Sequence, residues 1–328
     1  MTPLRLSVAV PIYNEAQLIP ELLRRLTGVL DRVAGGPHEI VIVDDGSTDG
    51  SREALLRAAA TEPRLIVVTF SRNFGHQAAL SAALDHVTGD AVVLMDGDLQ
   101  DPPEAIPDLV RTHLDGYDVV YAQRVRRKEG WLLRFCYATF YRILAHLSNV
   151  QLPVDAGDFG LMSRRVVDQL RKAPERHRYL RGLRAWAGYR QIGIAVERSA
   201  RAGGESKYSV AKLVALACDG FFSFSVAPLR AAALLGVGAI FLSTLFALYS
   251  IAAKFLWNRS PQGFTAVIVV MVFLSGTNLL FLGLLGEYLG RVYEEVKRRP
   301  LYVVDQVVRG TIGESVGRPV ATSAELHR

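Results

Sequence analysis

Cysteine is nearly absent from this 328-residue chain: only Cys136 and Cys218 occur, without metal-ligand spacing. A thiolate metal centre is therefore excluded, and both thiols read as reduced and structural. The chain also lacks a Gly-x-Gly-x-x-Gly opening and a Gly-x-x-x-x-Gly-Lys-Ser/Thr loop, so dinucleotide oxidoreductases and P-loop enzymes lose support. No internal repeat, low-complexity tract or recognised nucleic-acid motif accompanies its basic clusters at Arg124–Lys128, Arg171–Arg184 and Arg291–Arg299. Ahead of the short apolar run Leu6–Ile12 there is too little basic sequence for a signal peptide, and the run meets polar Tyr13–Asn14–Glu15 at once.

Apolar residues, by contrast, are abundant. They make up 50% of the chain, and the mean hydropathy is +0.20. The excess is concentrated in two uncharged stretches, Ala231–Ala253 and Thr265–Gly286, joined by a short polar link. Each is long enough to cross a hydrocarbon layer roughly 30 Å thick, which takes about 20 helical residues. A membrane hairpin is expected. Arg230 precedes the first stretch, and Arg291, Lys297, Arg298 and Arg299 follow the second, whereas the link carries only Lys254 and Arg259. That bias puts both the N-terminal region and the tail on the cytoplasmic side. The formal charge of +6, from 38 basic and 32 acidic residues, then suits anionic headgroups or phosphorylated substrates rather than nucleic acid.

The first 125 residues alternate short β-prone runs with helical ones. Leu6–Pro11, Glu39–Val43, Arg64–Phe70, Ala91–Met95 and Asp118–Ala122 are strand candidates; Glu15–Val33, Ser51–Thr61, Phe74–Val87 and Pro103–Asp115 are helix candidates. Continuous apolar strands between helices predict an α/β fold with a mostly parallel sheet covered on both faces. Polar groups recur at the carboxyl ends of these strands, where such sheets bind ligands. Tyr13–Asn14–Glu15 follows the first, Asp44–Asp45–Gly46–Ser47 the second, Ser71–Arg72–Asn73 the third and Asp96–Gly97–Asp98 the fourth.

Asp96 and Asp98, read as one extended segment, point the same way, and paired carboxylates call for a hard divalent cation. With a diphosphate donor, Mg²⁺ or Mn²⁺ on this pair offsets the charge growing on the leaving group. Asp44 suits a base or ribose; a turn with Ser47 or Thr48 capping a helix is the plainer alternative. His76 and His86 suit packing or capping, and neither is assigned to chemistry. Trp131–Leu147 reads as an aromatic, basic helix, Lys207–Ala227 as interfacial helices or a core helix, and the segment after Gly310 as disordered.

Five motifs together carry a resemblance. They are Pro11–Ile12–Tyr13–Asn14–Glu15, Asp44–Asp45–Gly46–Ser47, Ser71–Arg72–Asn73–Phe74–Gly75–His76, Asp96–Gly97–Asp98–Leu99–Gln100–Asp101–Pro102–Pro103–Glu104 and Gly204–Glu205–Ser206–Lys207–Tyr208. In combination they resemble family 2 inverting glycosyltransferases, specifically the bacterial polyprenyl-phosphate glycosyltransferases related to dolichol-phosphate mannose synthase. The resemblance spans about residues 5–300. It implies a GT-A fold (Rossmann-like) over 1–206, interfacial helices over 207–229, the hairpin within 230–290 and a cytoplasmic tail over 291–328.

The same resemblance implies roles. Pro11, Tyr13, Glu15, Asp44, Asp45 and Arg72 would serve the nucleotide, Asp96 and Asp98 the donor and its Mg²⁺ or Mn²⁺, and Gln100 the donor sugar. Asp158 matches a base or acceptor-side carboxylate. Arg124, Arg127, Arg134, Arg198, Arg201 and Lys207 are candidates for the lipid phosphate and the diphosphate. Related proteins usually carry arginine after the Asp–Phe pair, where Gly160 stands here.

The expected reaction is transfer of glucose from UDP-glucose to undecaprenyl or another polyprenyl phosphate, with inversion. The expected setting is the cytoplasmic face of a bacterial inner membrane, with anionic lipids and a homotetramer as partners and no nucleic acid. GDP-mannose is the alternative donor, and a membrane-anchored sugar-nucleotide binding protein is the non-catalytic alternative. A processive polysaccharide synthase is disfavoured by two spans and by the missing Gln-x-x-Arg-Trp motif.

Overall fold

The computed structural model describes residues 3–124, 156–173, 175–176, 178–197, 227–257 and 263–310. They fall into two compact units, residues 1–145, 150–209 and 299–328 in the first and residues 146–149 and 210–298 in the second. The helix expected over Trp131–Leu147 and the interfacial helices expected before Ala227 lie outside the described residues, as does the segment after Gly310.

In the first unit the order is β1 (Leu6–Ile12), α1 (Ile19–Leu30), β2 (Glu39–Asp44), α2 (Ser51–Ala59), β3 (Leu65–Phe70), α3 (His76–His86) and β4 (Ala91–Leu94). A 3-10 turn (Pro103–Ala105), α4 (Ile106–Leu114), β5 (Val119–Arg124), β6 (Ala156–Ser163), α5 (Arg164–Lys172), α6 (Leu180–Trp186) and β7 (Gln191–Val196) follow. Eight strands form one sheet in the order β7-β5-β6-β4-β1-β2-β3-β8, the last being Val304–Arg309. The block β4-β1-β2-β3 is parallel; β6 runs antiparallel to β4 and β5, and β8 antiparallel to β3. The α/β, mostly parallel architecture expected from the alternating runs is present.

Side-chain alternation explains why the strands carry no polar face. Val8, Val10 and Ile12 of β1 enter a core with Leu22 and Leu26 of α1, Leu55 of α2 and Leu109 of α4. Ala9, one pleat over, joins Val41, Val43 and Val68 beneath Leu80 and Ala83 of α3 and Leu170 of α5. Helix α3 packs against β1 and β2 as well as α5, and its small residues Ala79, Ser81, Ala82 and Ala83 allow that approach from several sides.

The chain winds outward from β1 in two directions, to β2 and β3 on one side and to β4 on the other. The crevice between the carboxyl ends of β1 and β4 is thus a topological switch point, where open α/β sheets receive ligands.

The tail over 291–328 holds a strand the sequence did not announce. β8 covers the edge of β3, with Ser71 N–H donating to Val303 O at 3.1 Å and Gly310 N–H to Leu65 O at 2.7 Å. The Tyr302 ring stacks on Phe70 with centroids 5.0 Å apart, and its hydroxyl donates to Asp85 at 2.6 Å. Arg52 and Asp305 form an ion pair across the same edge. Tyr302→Ala should lower the stability of this unit by about 3 kcal/mol, the range for a buried aromatic, read as a lower melting temperature in detergent. An unchanged melting temperature would show that the Tyr302 contacts with Phe70 and Asp85 contribute nothing.

The second unit contains two long helices, α7 (Ala227–Trp257) and α8 (Phe264–Lys297). Their apolar side chains, among them Leu234, Ile240, Phe273 and Leu280, are exposed. Among the described residues one segment, Val270–Lys297, is long and apolar enough to cross a membrane; α7 holds a shorter apolar stretch, Ala232–Phe246. Both expected spans are helical, and among the described residues the stretch that meets the length and composition of a crossing lies in α8.

Candidate active site

The loops after β1, β2 and β3 form one hydrogen-bonded layer. Asn14 N–H donates to Ser47 Oγ at 3.0 Å, Glu15 N–H to Ser51 Oγ at 3.0 Å, and Thr48 N–H to Asn14 Oδ1 at 2.8 Å. These hydroxyls therefore join two loops instead of capping α2, whose preceding residue is Gly50 and supplies no side-chain cap. Asp45 ties in the third loop: its carboxylate accepts from Phe74 N–H at 2.7 Å and Gly75 N–H at 3.0 Å. Both Asp45 oxygens are committed to that loop, so any service to a nucleotide passes through the loop's position. Arg72 lies exposed at the surface, its guanidinium 4.0 Å from the Phe74 ring centroid.

Asp44, the last residue of β2, is fully buried. Its Oδ1 accepts from Ser47 N–H at 3.2 Å, while its Oδ2 has no hydrogen-bond partner. Burial pushes its carboxyl up, against the Ser47 bonds. A buried acceptor left open is costly unless something donates to it, and a ribose hydroxyl or base N–H has the right chemistry. Tyr13 stands 48% exposed beside it at the end of β1, Pro11 is buried in the strand, and Glu15 is partly exposed.

The acidic pair differs from its extended reading. β4 ends at Leu94, and Gly97 and Asp98 lie in a turn, with Asp98 Oδ1 accepting from Gln100 N–H at 3.1 Å. Gly97 passes close to β1 in this turn: a Cβ there would sit 2.2 Å from Ile12 Cδ1 and 3.1 Å from Pro11 O. Leu99 follows with φ of 57°, a left-handed conformation that L side chains adopt at a cost of about 1–3 kcal/mol. Asn14, at the end of β1, has φ of 55°. Left-handed backbone thus follows both strands at the switch point, strained at Leu99 and readily adopted by Asn14.

Burial raises the Asp96 carboxyl, His76 lowers it, and the neighbouring Asp158, Asp101 and Asp98 charges raise it further; the net direction is upward. Concentrated negative charge on oxygen donors fits a hard divalent cation. Among the described residues no group of three or more His, Cys, Asp or Glu side chains is arranged to hold a metal. Asp96 and Asp98 could contribute carboxylate oxygens to a Mg²⁺ or Mn²⁺ site that other ligands complete.

His76, expected only to pack or cap, lies between two carboxylates. Its Nε2 is 3.6 Å from Asp96 Oδ1 and 3.8 Å from Asp158 Oδ2. Burial lowers its pKa, but Asp158 and Asp96 outweigh that and raise it overall. Asp158 itself is buried on β6 and gripped by Arg181, with Nε to Oδ1 and Nη2 to Oδ2 both 2.7 Å. Burial acts against its ionisation, yet Arg181 and His76 hold its carboxyl well below the usual carboxylate range. Neighbouring Arg184 is buried, with Nη2 3.4 Å from Gly157 O, and burial brings its pKa down to about 10.

Gly160 follows the Asp158–Phe159 pair on β6. A Cβ there would lie 2.6 Å from Val120 O and 2.9 Å from Tyr121 Cα, so β5 leaves no room for any side chain. Arg124 ends β5. Arg127, Arg134, Arg198, Arg201 and Lys207 lie outside the described residues. His86 is local, its Nδ1 2.8 Å from Ala82 O.

An acidic cluster at the switch point of a largely parallel sheet, with a buried carboxylate oxygen of Asp44 left without a hydrogen-bond partner, defines an α/β protein whose candidate site lies at the carboxyl ends of β1, β2 and β4. Residues 7–171 match the family described as glycosyl transferase family 2. The chain is 40% identical over 304 residues to "Uncharacterized glycosyltransferase YkcC" of Bacillus subtilis, covering 92% of this chain and 93% of that protein. It is 36% identical over 308 residues to the SfII prophage-derived bactoprenol glucosyl transferase of Shigella flexneri, covering 94% and 99%. A solved mannosyltransferase of Pyrobaculum calidifontis is similar with a TM-score of 0.42 and 28% identity, over 60% of this chain and 55% of that one. The chain belongs to glycosyl transferase family 2 and is a glycosyltransferase.

Proposed function

We propose that the protein transfers glucose from UDP-glucose to a polyprenyl phosphate, with inversion, at the cytoplasmic face of a bacterial membrane. The observation that carries this reading is similarity along nearly the whole chain, helical unit included, to a bactoprenol glucosyl transferase. The apolar helices α7 and α8 support a membrane setting, with the two spans at 231–253 and 265–286 and the tail in the cytoplasm.

Asp44, Tyr13, Pro11 and Glu15 would receive the nucleoside, with Arg72 and Asp45 shaping the loop beside it. Asp96 and Asp98 would hold Mg²⁺ or Mn²⁺ against the diphosphate, which supplies the charge neutralisation that lets the nucleotide leave. Gln100, on the same turn, would meet the sugar. The acceptor is a phosphate monoester whose second pKa is about 6, so it is mostly ionised at neutral pH and needs little help from a base. A carboxylate held as low as that of Asp158 is a weak base. Its charge instead suits the positive character that develops at the anomeric carbon. Attack from the face opposite the leaving diphosphate gives the inverted product. Arg124, Arg127, Arg134, Arg198, Arg201 and Lys207 are proposed to hold the lipid phosphate.

The test is transfer by the full chain in detergent, with Mg²⁺ or Mn²⁺, undecaprenyl phosphate and a panel of labelled UDP- and GDP-sugars. Label from UDP-glucose should enter the organic phase. Label entering only from GDP-mannose would replace the donor, and none from any donor would overturn the reading.

A further inference from the structure

Arg181 is joined to the acidic site by a chain of short contacts. Its guanidinium meets Asp158 through two parallel bonds of 2.7 Å, a fork that fixes the plane of the carboxylate as a lysine could not. Asp158 Oδ2 is 3.8 Å from His76 Nε2, and that nitrogen is 3.6 Å from Asp96 Oδ1. The backbone braces the same path, because Leu180 N–H donates to Gln77 Oε1 at 3.1 Å and so ties the start of α6 to the start of α3. Four side chains from α6, β6, α3 and the turn after β4 thus form a continuous series, one forked salt bridge followed by two longer ion-pair contacts.

Resting on the assignment of Asp96 to the donor diphosphate, we infer that Arg181 is a positioning residue for sugar transfer, orienting Asp96 through Asp158 and His76. Arg181 needs no contact with substrate to do this. Without Arg181, the buried Asp158 carboxylate loses the fork that fixes its plane beside His76. The imidazole then loses one of its two anchors, and Asp96 loses the group that faces it.

The experiment compares wild type with Arg181→Ala, using the full chain in detergent and two readouts. Calorimetry with UDP and Mn²⁺ measures nucleotide affinity, and transfer kinetics separate kcat from the acceptor KM. Arg181→Ala should weaken UDP–Mn²⁺ binding and lower kcat by about tenfold each, the scale for groups that orient metal-side ligands, with the acceptor KM unchanged. Added guanidinium should restore both. In a His76→Gln background the same substitution should have almost no further effect, because both changes break one chain. Wild-type values in Arg181→Ala, a loss that guanidinium does not restore, or losses that simply add to those of His76→Gln would each overturn the inference. Failure of the donor reading shows separately in wild type, which would then bind GDP–Mn²⁺ in place of UDP–Mn²⁺; the Arg181 comparison is made with whichever nucleotide binds. A wild type that binds neither overturns both.

Discussion

Asp98→Asn should reduce sugar transfer about a thousandfold, the several kcal/mol expected when charge neutralisation at a leaving group is lost. The substitution keeps the shape of the side chain. Asn Oδ1 can still accept from Gln100 N–H, as Asp98 does at 3.1 Å, so the turn after β4 should survive. Thermal unfolding in detergent should accordingly change little. Calorimetry should show UDP binding that no longer strengthens when Mn²⁺ is added. Turnover within a few-fold of wild type would remove the acidic pair from the chemistry.

Asp158→Asn should instead damage both activity and stability. It strips the counter-charge from Arg181 and Arg184, and breaking one side of a buried ion pair costs about 3–5 kcal/mol. Arg181 is 30% exposed, so solvent recovers part of that and the lower end of the range is expected. The contribution of Asp158 has a defined pH dependence, because its carboxyl is held below the ordinary range by Arg181 and His76 against burial. It is complete above about pH 4, the unfolded aspartate value, and declines as pH falls from there toward the lower folded value. Chemical denaturation at neutral pH and at about pH 3 should therefore show the wild-type advantage over Asp158→Asn shrinking in acid. A variant as stable as wild type at neutral pH would show that the Arg181 pair contributes nothing to the fold.

Much of the first unit was legible because buried parallel strands write themselves as unbroken apolar runs. Ile40–Val43 and Leu65–Val68 have no polar face to confuse the reading. The places of Asp44 and of the pair Asp96 and Asp98 in the fold were legible for a related reason: each follows on an apolar run that is a strand. Local geometry was less visible. Gly97 passes close to Ile12 and Asp98 lies in a turn, and no pattern in the segment itself reports a neighbour from β1. His76 was passed over because its two carboxylate neighbours come from the turn after β4 and from β6, far along the chain. Arg181 was hidden in the same way among the other arginines of a basic stretch. β8 was missed since six residues after a charged run show no period of their own; only the open edge of β3 makes them a strand.

That edge strand has a topological consequence. The chain leaves the catalytic unit after β7, makes the two long helices and comes back to finish the same sheet. The helical part is thus an insertion with both of its ends anchored in one body, not an appendage hung from a single thread. A single nick on the way out would leave the enzyme fastened through its returning strand.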